Sequence, residues 1–182
     1  MSYYSLISSL PIINLDSCES ISEEEFLNFC FCHLNDDEMS IITDLLNNKK
    51  ISDNYFINKY YNFETQIKNS ISKIRCQKYN IDSKSLINQH NEYSGSIEES
   101  LNKAYSLDNP LLVEIEIDRI FFNALNDLVG NDYFSFSKII SYALQLKIVL
   151  RWKKMNDDDG YNYIEKVISD KTTSNKVLDL NY

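Results

Sequence analysis

Residues that turn a chain sharply are scarce here. Three glycines (Gly95, Gly130, Gly160) and two prolines (Pro11, Pro110) punctuate 182 residues. β-Sandwiches and doubly wound α/β folds need frequent tight turns, so this scarcity argues for a mainly helical chain. The few breakers stand where helix ends want them. Asn109-Pro110 reads as an N-cap followed by proline at the first helical position, where a missing N–H costs nothing. Gly130 follows the apolar pair Leu128-Val129, where a left-handed C-terminal residue is expected. No breaker lies between them, so Pro110 to Val129 is one helix.

The expectation is an all-α fold: a single helical domain of about six to seven helices around a long antiparallel helix core. Residues 1–50 form an N-terminal arm and a helical hairpin, 51–168 a long-helix bundle, and 169–182 a frayed tail. Tyr3 to Pro11 is aromatic and serine-rich and reads as a short strand or extended arm, since Leu10 precedes a proline. Ser22-Glu23-Glu24-Glu25 is a capping box whose helix puts Phe26, Phe29, Cys30 and His33 on one face. Asn35 to Glu38 repeats that logic ahead of Ile41, Ile42, Leu45 and Leu46. From Ser52-Asp53 to about Tyr79, Phe56, Tyr60, Phe63, Ile67, Ile71 and Ile74 recur at four-three spacing, the seam of a lengthwise helix contact. The asparagine-rich stretch 81–95 is the main loop, and Ser96 to Glu99 a further capping box. A helix from about Ser137 to Met155, an acidic hinge at 156–160 and a short helix at 161–168 complete the reading.

Hydrophobic residues at 43% and charged residues at 25% are a globular balance. A net charge of -9 with scattered lysines and arginines excludes a phosphate-backbone partner, so no nucleic acid is expected. Arg151-Trp152-Lys153-Lys154, the densest basic cluster, reads as complementing a helix C-terminus. No apolar run approaches the ~20 residues that cross a bilayer, and the first residues carry no secretory pattern. A cytoplasmic protein with reduced cysteines is therefore expected.

Chemistry-bearing patterns fail on spacing. Cys30 and Cys32 lie about 200° apart on a helix and cannot share an ion, and Cys30 with His33 makes only two ligands. Asp157-Asp158-Asp159-Gly160 begins like a calcium loop but holds Ile168 where the twelfth-position glutamate belongs. No glycine-rich loop cradles a phosphate, and no nucleophile elbow is present. Glu114 and Asp118 share a helix face, but the Glu-x-x-His partner of a di-iron bundle is missing; solvated charge or an interhelix ion pair is expected. The residues thus suggest no catalytic, cofactor-binding or metal site and no enzyme.

Three segments together carry a resemblance. They are Tyr4 to Pro11 with Ile21 and Phe26-Leu27; Tyr61-Asn62-Phe63-Glu64 with Asn69 and Arg75; and Asn109-Pro110-Leu111, Glu114, Phe134, Tyr142, Leu146-Lys147-Ile148 and Arg151-Trp152. This resembles a family of small helical proteins encoded beside V-type ATPase subunits in bacteria, although that family more often carries Trp where Phe63 stands. A more distant similarity is to the C (or d) subunit of V- and A-type ATPases, a longer, three-lobed helical socket between central stalk and membrane ring. The resemblance implies a non-catalytic component or accessory of a proton- or sodium-transporting V-type ATPase, standing in for the C-type subunit. Its partners would be stalk or membrane-ring subunits, and its place the inner face of the cytoplasmic membrane, held there peripherally. The alternative is an assembly chaperone that binds a stalk subunit transiently.

Two sets of side chains follow as candidates. Glu64 and Arg75 lie ~16 Å apart on one helix face and cannot pair with each other. They are expected to meet opposite charges on neighbouring helices, with Glu64–Arg151 and Arg75–Glu114 as one pairing. For partner contacts, the surplus aromatics are Tyr3-Tyr4, Tyr55, Tyr60, Tyr61 and Tyr161-Tyr163; Tyr161 and Tyr163 beside the hinge are favoured.

Overall fold

The computed structural model describes residues 3–16, 20–91 and 93–155. Among them the fold is all-α, as expected. Seven α-helices follow in order: α1 (Tyr4–Ser9), α2 (Glu23–Phe31), α3 (Asp36–Leu46), α4 (Tyr55–Tyr79), α5 (Gly95–Tyr105), α6 (Pro110–Val129) and α7 (Phe136–Lys154), with a 3-10 turn at Lys84–Leu86. The hinge at 156–160, the helix at 161–168 and the tail, with Tyr161 and Tyr163, lie outside the described residues.

Local chemistry sets most of the boundaries. Ser22 and Asn35 both form complete capping boxes with Glu25 and Glu38. The α4 cap is Asn54, whose side chain accepts from the Ile57 amide. Asn109 caps α6 with Pro110 behind it. Asparagine replaces glycine as the terminator after α3 and α4: Asn48 and Asn80 adopt positive φ (58° and 54°), a conformation asparagine tolerates better than most residues. Gly130 also takes positive φ (59°), but its ψ of -129° is not the left-handed helical value expected, and only glycine visits that region readily.

Two expectations are corrected. Tyr4 to Ser9 is a helix, not an extended arm, because Leu6 is fully buried and a helical turn seats it in the core. The proline rule still governs its end, where Leu10 is extended (φ -75°, ψ 133°). The box at Ser96 does not form. Helix α5 starts at Gly95, and Glu99 pairs with Lys103 instead of returning to the cap.

Helix α7 is central. Ile139 to Leu146 are buried around its whole circumference, the pattern of a helix enclosed on all sides. It packs on α3 and α6, while α4, α5 and α6 pack on one another. The larger core joins Leu6, Phe26, Ile42, Leu45, Ile57, Leu125, Ile140 and Leu146. A smaller one joins Ile67, Ile97, Leu101 and Ile117, with Phe63, Ile71 and Ile74 of the α4 seam against it. The asparagine-rich loop doubles back along α4 under two buried amides. The Gln66 side chain donates to the Ser94 carbonyl (2.7 Å) and accepts from its amide (3.0 Å). Asn69 does the same to Asn88, at 2.7 and 2.9 Å. The Asn88 peptide and the Ser94 amide thus gain side-chain partners, while the Ser94 carbonyl also accepts from the Ile97 amide of α5 (3.3 Å).

Candidate functional site

The two ends of α7 differ in how their polar groups are used. At the C-terminal end, Asp118 of α6 is 6% exposed and accepts from the Arg151 guanidinium and from the Trp152 indole N–H (2.6 Å). The guanidinium also lies over the Trp152 ring, 5.6 Å from its centroid. One turn earlier, the Lys147 ammonium donates to the Leu45 carbonyl (2.8 Å) and to Asn48 Oδ1 (2.6 Å), so α7 caps the end of α3. These groups border a cleft of about 270 Å³ with Tyr60, Glu64 and Phe121. Burial, and then the Glu64 carboxylate, push the Tyr60 hydroxyl well above the usual tyrosine range. Burial holds Lys147 below the usual lysine range. The charged donors Arg151 and Lys147 and the Trp152 indole N–H all have acceptors, which makes this end a structural lock.

The expected ion pairs are seated differently. Glu64 does share the cleft with Arg151, but Arg151 turns to Asp118, and Glu64 pairs with Lys68 one turn along its own helix (2.8 Å). Arg75 donates to the Tyr105 hydroxyl (3.1 Å), and Glu114 is exposed. The reason is axial: Asp118 lies one turn along the same face from Glu114 and within reach of Arg151 on α7, so the interhelix pair forms there.

The N-terminal end of α7 is open. Ser135 makes no side-chain cap, and the first turn carries no acidic residue. Tyr4 and Phe134 meet there with ring centroids 4.9 Å apart, yet stay 59% and 49% exposed. Tyr133 and Ile12 are also exposed, Ile12 at 93%. Of the other surplus aromatics, Tyr3 bonds Glu38, which pushes its hydroxyl up to about 12, and Tyr60 and Tyr61 are half-buried. Those three cover helix seams, whereas Tyr55 is exposed.

Thiols and imidazoles form no reactive cluster among the described residues, and no group of three His, Cys, Asp or Glu there could hold a metal ion. Cys30 is buried and pushed up to about 12, Cys32 is exposed, and His33 meets the Phe29 carbonyl of its own helix through Nδ1. No helix among the described residues is long and apolar enough to cross a membrane.

Comparison with known proteins adds a family. Residues 34–173 match the family described as "Protein of unknown function (DUF2764)". The chain belongs to it. No curated protein and no solved structure matches. The DUF2764 match spans α3 to α7, so it includes the Asp118 lock and Phe134, while α1 and Tyr4 precede it.

Asp118, Trp152, Gln66, Asn69 and Lys147 carry roles that residue-by-residue reading did not assign. Their partners lie on other elements, and a sequence pattern gives no register between elements. A signal was present only for Asp118, in its placement on the same helix face as Glu114.

Proposed function

We propose that this protein is a non-catalytic accessory of a V-type ATPase that docks on its stalk or membrane-ring subunits. The observation that supports the reading is the pairing of Tyr4 with Phe134. Both belong to the segments that carry the resemblance, they come from opposite ends of the described chain, and they remain 59% and 49% exposed. A ring pair that the core does not bury is free to give contact area to a partner, and tyrosine tolerates water when unbound. Tyr133, next to Phe134 in the chain, is also exposed and adds aromatic surface.

The test is affinity purification of the ATPase under gentle detergent from cells that make this protein. Stoichiometric retention in the mature complex supports the accessory role. Reproducible absence from both mature and partly assembled complexes contradicts it. Appearance in assembly intermediates alone assigns the chaperone alternative. The C-type coupling role requires further that membranes lacking this protein hydrolyse ATP without pumping ions, since a stalk that does not grip the ring turns idly.

A further inference from the structure

Beneath α1, the N-terminal segment closes a pocket of about 320 Å³ against α6 and α7. Its size is at the lower end of the ~300–1,000 Å³ typical of small-molecule sites. The segment is tied to α7 by the Tyr142 hydroxyl, which donates to the Pro11 carbonyl (3.0 Å), and the pocket opens to solvent where Ile12 is 93% exposed. Ile7, Leu10, Ile12, Ile13 and Phe122 give apolar walls. Into these walls comes one charge, Lys138, half-buried on α7.

Lys138 is anomalous in two independent ways. Its ammonium has no hydrogen bond or ion pair among the described residues, and burial alone holds it below the usual lysine range. It also sits in the first turn of α7, where a cation opposes the helix dipole. Lys147 of the lock gains two acceptors for its burial, whereas Lys138 gains none. The neighbouring amides do not compensate it: Gln145 turns its Nε2 to the Phe122 carbonyl (3.2 Å) and Asn126 Oδ1 (3.0 Å), and neither amide oxygen accepts from the Lys138 ammonium. An apolar chamber with one desolvated, unpaired cation at its wall is complementary to an apolar molecule carrying one negative charge.

We infer that this pocket binds a small apolar carboxylate, with the acid on Lys138 and the hydrocarbon against Ile7, Ile12, Ile13 and Phe122. The Tyr142 hydroxyl oxygen, already donating its proton to Pro11, offers the acid no second donor, so Lys138 carries the charge recognition. This inference is independent of the ATPase reading.

Octanoate titrated into the full chain, followed by isoleucine methyl resonances and calorimetry, tests it. The expected result is saturable binding that moves the methyls of Ile7, Ile12 and Ile13. Affinity should fall about tenfold in Lys138→Met and for the neutral analogue octanol, and persist in Lys138→Arg. Melting curves of both variants check that the fold is kept. Equal binding of octanol and octanoate, or binding unchanged by Lys138→Met, would mean apolar adsorption and overturns the proposal. So does absence of saturable binding. If octanoate does not bind while Lys138→Met dissolves a dimer or weakens capture of an ATPase subunit, the pocket serves a protein carboxylate and the small-acid reading is wrong.

Discussion

The two ends of α7 are built from similar residues and put to opposite uses. At the C-terminal end, Arg151 and Trp152 donate to Asp118 of the preceding helix α6, and Lys147 donates to the distant end of α3. At the N-terminal end, Lys138 has no acceptor, Ser135 caps nothing, and Tyr4 and Phe134 keep much of their ring area in water. The pull of stability explains the first arrangement completely, because satisfied buried donors hold a unique packing. It does not explain the second. Groups that fold stability leaves unsatisfied are where binding is to be sought.

That contrast can be broken at either end. The largest loss of stability is expected from Asp118→Ala, which strands the Trp152 indole N–H and removes the acceptor of Arg151. The Arg151 side chain is 51% exposed, so water recovers part of its loss, and a cost of about 2–3 kcal/mol in urea unfolding is expected. A cost near zero would show that the lock is not a lock. Lys147→Met should follow at about 1–2 kcal/mol, since the Leu45 carbonyl and Asn48 each lose a charged donor.

Gln66→Ala tests a third way of holding the chain. It should cost about 1–2 kcal/mol, because the Ser94 amide loses its acceptor and the Ser94 carbonyl keeps only the Ile97 amide. Hydrogen exchange locates the damage: amides of the 81–94 loop should speed up well before those of α7. Uniform acceleration across the chain would mean that the loop and the core unfold together.

Lys138→Met sharpens the contrast from the other side, for it should be neutral or stabilise by a few tenths of a kcal/mol. Its pH dependence has a definite sign. The folded state binds this proton less tightly than the unfolded chain, whose lysine titrates near 10.5. The cation's penalty is therefore present below the folded-state pKa and relieved as pH rises through 10.5. The stability gap between Lys138→Met and the native chain should narrow over that window; a gap that widens would mean Lys138 stabilises the fold.

Helix boundaries were legible in the sequence wherever a cap is local. Ser22, Asn35 and Asn109-Pro110 act within one turn, and their boundaries follow from side chains that reach their own helix. Ser96 to Glu99 has the same pattern and fails, because Gln66 draws Ser94 onto α4 and the helix begins at Gly95. Helix α1 was hidden for a similar reason, since Leu6 is seated in a core that α2 and later helices build together. The lock was half legible. A shared face for Glu114 and Asp118 follows from helical spacing, but the choice of Asp118 depends on how far α7 is shifted along α6. Lys138 gave no signal at all, because a lysine without a partner looks in sequence like any surface lysine.

The central claim is that the open end of α7 serves a partner and not the fold. Tyr4→Ser combined with Phe134→Ser tests it, with the native chain and Asp118→Ala purified alongside from the same cells. The account predicts that the double variant melts within a few degrees of the native chain yet no longer retains V-type ATPase subunits under gentle detergent. It also predicts that Asp118→Ala, though less stable, retains them in proportion to its folded fraction. Retention by a folded double variant equal to that of the native chain would contradict the account.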